Sequence, residues 1–141
     1  MKYTTHMILA AAALAVAAGS ASAQNLTAEI PLTFRAGGVV MSPGAYTVGI
    51  SRNSGSTVFL IQNVDTRKSV LLVNYSPTDA SKKWQADGRP KLGFECVGAN
   101  CVLRSIWPAT DRTSYTFHGP KPAGDEPTHF AEVRMAPHRT N

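Results

Sequence analysis

The chain has 141 residues, 43% of them hydrophobic, and carries 14 Lys and Arg against 9 Asp and Glu, a net charge of +5. That size suits one domain after any leader is removed, long enough to bury about two-thirds of its unfolded surface. The basic excess is spread from Arg35 to Arg139 without a concentrated stripe, which argues against nucleic acid as a partner.

Residues 1–23 read as a secretory signal peptide. Lys2 precedes an apolar run over residues 7–18, and Ala21-Ser22-Ala23 supplies the small residues of an A-x-A cleavage site. The run is shorter than the roughly 20 apolar residues that span a bilayer. Cleavage after Ala23 predicts a soluble mature chain beginning at Gln24, exported to the periplasm or the exterior of a bacterium, with no membrane anchor.

In the mature chain, apolar residues recur with period two in short runs bounded by Gly, Pro, Asn, Asp and Ser, the pattern of half-buried strands. Ile30, Leu32 and Phe34 share one face of a first strand over residues 28–34. Pro31 within it cannot donate to a ladder, so a sheet edge or a strand start is expected here. Gly37-Gly38 turns the chain, a brief strand follows at 39–41, and Ser42-Pro43-Gly44 turns it again before a strand at 45–51 alternates Tyr46, Val48 and Ile50. The nearly continuous apolar run Val58, Phe59, Leu60 and Ile61 suggests a central strand covered on both faces. It is expected to pair as a hairpin with the run Val70 to Val73.

Residues 76–89 form the longest polar stretch and are expected to loop, with Trp84 either a cap over the end of the domain or a surface contact. Strands at 90–97 and 101–107 flank the Gly98-Ala99-Asn100 turn, and a further strand is expected at 114–117. From Gly119 the density of Pro rises, so a β domain over 24–118 is expected to give way to a tail over 119–141. Two readings stand for residues 127–135: a short helix docking Phe130 and Val133 on the sheet, or a frayed end. The whole predicts an all-β fold, a small antiparallel β-sandwich or barrel-like domain.

The opening Ala28-Glu29-Ile30-Pro31-Leu32-Thr33-Phe34, with Gly37-Gly38 and Ser42-Pro43-Gly44-Ala45-Tyr46-Thr47-Val48, resembles the "IPFxF…G…LPAGxYxV" opening of a group of small exported bacterial β-proteins with no assigned activity. The Lys91-Leu92-Gly93-Phe94 strand, the Ser105-Ile106-Trp107 segment and residues 127–132 extend the resemblance. It implies fold and export alone. The cysteines on both sides of the 98–100 turn depart from the group's pattern.

Few constellations point to chemistry. Cys96 and Cys101 are half a zinc set at most, with no second pair to complete it, and in an oxidising compartment a disulfide across the turn is the better reading. His118, His129 and His138 lie eleven and nine residues apart in a Pro-rich segment, a spacing that predicts no metal site. No G-x-S-x-G elbow and no phosphate-binding loop occurs. No catalytic, metal or cofactor-binding residue is therefore expected. The leading functional expectation is a non-enzymatic interaction or structural protein that binds an envelope partner through a sheet surface, an edge strand or loops, with the 28–34 edge a candidate for strand addition. A carrier holding a small apolar ligand inside a barrel is the alternative, and a hydrolytic or metal enzyme ranks below both.

Overall fold

The computed structural model describes residues 22–138, with side chains from Gln24 onward; the signal peptide reading, residues 1–23, lies outside the described side chains. Eleven strands and one short helix follow in order: β1 (Ser22–Ile30), β2 (Phe34–Ala36), β3 (Val39–Met41), β4 (Gly44–Asn53), β5 (Ser56–Asn63), β6 (Ser69–Leu72), β7 (Tyr75–Asp79), α1 (Lys82–Asp87), β8 (Lys91–Val97), β9 (Asn100–Trp107), β10 (Thr113–Phe117) and β11 (Thr128–Pro137). They form one sheet in the order β3-β2-β9-β8-β11-β1-β4-β5-β6, with β10 added to β9 and β7 to β10. Every pairing is antiparallel except β2 on β9.

The sheet curls into a nearly closed barrel because its far ends meet across an aromatic core. Phe59 of β5 packs edge-on or tilted against Tyr75, Tyr115 and Phe117, with ring centroids 5.0–5.8 Å apart. The Tyr75 hydroxyl accepts the Thr57 amide proton at 3.2 Å, tying β7 back to β5. Phe34 extends the cluster to Tyr46 and Phe94 at 5.4 and 5.3 Å. Period-two patterning places these rings inside and leaves polar side chains on the outer face.

Several sequence expectations change. Residues 127–135 form neither a helix nor a frayed tail: β11 fills the gap between β8 and β1 and so belongs to the barrel itself. Two open strand edges needed a partner there, and period two places Val133 and Met135 inside with Glu132 and Arg134 outside, which a helix on the 3.6-residue period would not do. Phe130, expected to dock, is 76% exposed. The irregular stretch is thus confined to 118–127.

The 28–34 segment is not one edge strand. β1 ends at Ile30, Pro31 marks the break, and Ala28 pairs with Tyr46 on one side and Met135 on the other. The 57–63 strand pairs on both sides but is covered on only one face, since Leu60 is exposed.

Residues 76–89 hold β7 and α1 rather than a plain loop. Pro77 is tolerated because β7 pairs only with β10. The helix is bracketed by its caps: the Ser81 hydroxyl accepts the Trp84 amide proton at 3.1 Å, and Gly88, in the left-handed region, donates its amide to the Trp84 carbonyl at 2.9 Å.

Candidate functional site

Trp84 lies half-buried on the outer face of the sheet, not over a barrel end. Its ring stacks on Trp107 at 6.3 Å, its Nε1 donates to Glu132 Oε2 at 2.6 Å, and its Cη2 atom sits above Gly93, where a side chain would meet it at 3.1 Å. Trp107 is buried beneath α1, outside the barrel core. Lys91, also buried, donates to Asp87 and to the Arg89 carbonyl and lies 5.9 Å from the Trp107 ring centre. The Lys91 partner holds the Asp87 carboxyl below its ordinary value of 3.8, with smaller help from Arg134 and Arg89. These groups fasten α1 to the sheet. Beyond Trp84 the outer face forms a shallow groove of about 800 Å³ edged by Phe130, Thr116 and Arg104.

Cys96 and Cys101 form the disulfide that the sequence suggested, joining residues directly opposite on β8 and β9. Gly98, with φ +59°, occupies the first central position of the two-residue turn between them, the place where a hairpin turn demands the left-handed region. Both cysteines point into the barrel and are buried.

A second cleft, of about 780 Å³, opens through the side of the barrel between β6, the β2–β3 hairpin, β9 and residues 117–123. Its volume lies within the range of ligand sites. Phe34, Leu72, Leu103 and Phe117 form an apolar floor. On the rim stand Val40, Leu71 and Val73, which are 44%, 58% and 53% exposed; three of the six large exposed apolar side chains among the described residues thus gather at one opening.

Both walls are held in place. Gly37 has φ +57°, and any Cβ there would lie 3.0 Å from Leu72 Cδ2 and Val70 Cγ2, so only glycine lets the hairpin tip press against β6. Lys68 Nζ donates to the Val40 carbonyl at 2.8 Å and closes the lower end of the seam. On the opposite lip, Arg104 pairs with Glu95 at 2.6 Å and donates to the Pro120 carbonyl at 2.9 Å, while Asn100 Nδ2 donates to the Ala123 carbonyl at 2.7 Å. These bonds pin the Pro-rich 118–123 stretch as a wall.

The three histidines do not converge. His118 is exposed beside Ser76, 2.7 Å from its hydroxyl, His129 lies on β11, and the His138 amide bonds to Asn25. Among the described residues no three His, Cys, Asp or Glu side chains gather as a metal site, and no helix is long and apolar enough to cross a membrane.

The sequence reading missed Val40, Leu71 and Val73 as a group. The available signal was the run Val70 to Val73, apolar on both phases of a strand: that pattern marks either burial on both faces or one buried face and one sticky one. No family model, curated protein or solved structure matches the chain.

Proposed function

We propose that this is an exported binding protein with no catalytic chemistry of its own, which holds an extended segment of a partner by strand addition along β6. The observation that carries this reading is the state of the sheet's free edges. A free edge is normally blunted by Pro, charge or brevity. β7 carries Pro77, β3 is three residues long, and the half of β11 that β1 leaves open, residues 128–134, carries Glu132 and Arg134, whereas β6 runs Ser69-Val70-Leu71-Leu72 into Val73 with no charge and no Pro. That edge opens onto the apolar cleft, so an added strand would gain main-chain hydrogen bonds and places for alternate side chains together.

The barrel centre favours this over a carrier of small apolar ligands. Phe34, Phe59, Phe94 and Tyr46 are all almost fully buried there, and Phe34 packs edge-on against both Tyr46 and Phe94. The leader-like residues 1–23 and the disulfide fit a periplasmic or extracellular location, where thiols oxidise.

The experiment is titration of a fluorescent extended pentapeptide, alternating Val with a polar residue, against the protein and against the double variant Leu71→Lys, Val73→Lys. Both side chains are exposed, so the variant should keep its Tm while losing the binding. Equal binding by the two proteins would refute strand addition at this edge.

A further inference from the structure

The cleft that receives the proposed strand is asymmetric in charge. Its cationic lining residues are Arg35, Arg104 and Lys121, and no Asp or Glu lines it among the described residues. Arg104 is already neutralised: Glu95 holds it at 2.6 Å, and its remaining reach goes to the Pro120 carbonyl. Arg35 and Lys121 are different, because both are exposed and neither enters an ion pair among the described residues. Arg35 faces outward because its strand neighbours Phe34 and Ala36 take the buried phase of β2, and Lys121 stands on the wall that Arg104 and Asn100 pin. Two uncompensated cations therefore border an apolar floor.

Resting on the strand-addition reading, we propose that the occupant is an acidic extended peptide in which apolar residues alternate with Asp or Glu. In such a strand one set of side chains faces the cleft and the other the rim, so apolar groups meet Leu72 and Phe117 while carboxylates approach Arg35 and Lys121. The cations then act as specificity determinants: they favour acidic segments and repel basic ones of the same apolar content.

The test uses three peptides of equal length, alternating Val with Glu, with Ser or with Lys, titrated by fluorescence anisotropy at low and high salt. Exposed charge pairs each contribute about two- to fivefold in affinity at low ionic strength. The Glu peptide should thus bind about 5–20-fold more tightly than the Ser peptide, the Lys peptide more weakly than either, and the spread should collapse at about 1 M salt, where the Debye length is near 3 Å. The variant Arg35→Glu, Lys121→Glu should reverse the order. If Glu and Ser peptides bind alike and the variant changes nothing, the charge inference is wrong while strand addition stands. If none of the three binds, strand addition fails and takes this inference with it.

Discussion

Gly93→Ala probes how α1 is seated on the barrel. Gly93 lies directly opposite Ser105 on β9, and a Cβ built on it would overlap Ser105 Oγ and come within 3.1 Å of Trp84 Cη2. Overpacking of this kind costs about 1–3 kcal/mol. For a domain of this size that is a fall in Tm of roughly 4 °C per kcal/mol. The nearer obstacle is a hydroxyl with no hydrogen-bond partner among the described residues, so Ser105→Ala alone should shift stability by no more than about 0.5 kcal/mol. The double variant should recover more than half of the loss, leaving only the softer contact with Trp84. Thermal unfolding of the four proteins, followed by tryptophan fluorescence, gives the coupling, expected at about 1 kcal/mol or more. Strictly additive effects, or a Gly93→Ala protein as stable as the wild type, would refute the close packing of Trp84, Gly93 and Ser105.

Other outcomes follow from the same packing. Phe59→Ala removes the ring on which Tyr75, Tyr115 and Phe117 converge and should cost about 3–5 kcal/mol in denaturant unfolding. Replacing Cys96 and Cys101 together by Ala should cost about 2 kcal/mol, since so short a loop restricts the unfolded chain modestly, and the variant should keep its circular dichroism spectrum. Asp87 has a folded pKa below its unfolded value, so its contribution is present above about pH 4 and is lost as pH falls through the folded pKa. Asp87→Asn should therefore lower Tm slightly at neutral pH, and the difference from the wild type should shrink as the pH falls below about 4, as scanning calorimetry across that range would show.

Strand content was legible where apolar residues alternate in the sequence: Tyr46, Val48 and Ile50, or Leu92, Phe94 and Cys96, follow period two, and the turns between strands carry their own Gly and Pro. β11 was harder. Its Pro-rich approach and the Phe130–Val133 spacing imitate a helix, and only the two vacant edges of β1 and β8, a fact of the assembled sheet, make it a strand. The helix at 82–87 was hidden because six residues show no apolar period; its signal is the pair of caps, Ser81 and Gly88. The cleft was least legible. Leu71 and Val73 look like core residues in sequence, and only the phase of β6, which puts Val70 and Leu72 in the core, turns Leu71 outward. Arg35 and Lys121, 86 positions apart, meet at one opening only through the parallel pairing of β2 with β9 and the pinned wall after β10.

Amide hydrogen exchange of the full domain, with and without the Val-Glu peptide at saturation, shows whether β6 receives a partner strand. New protection should be concentrated at residues 69–74, with lesser effects at 38–41 and 117–123. Protection that instead falls around Trp84 and Phe130 on the outer face, or on the open half of β11, would contradict it.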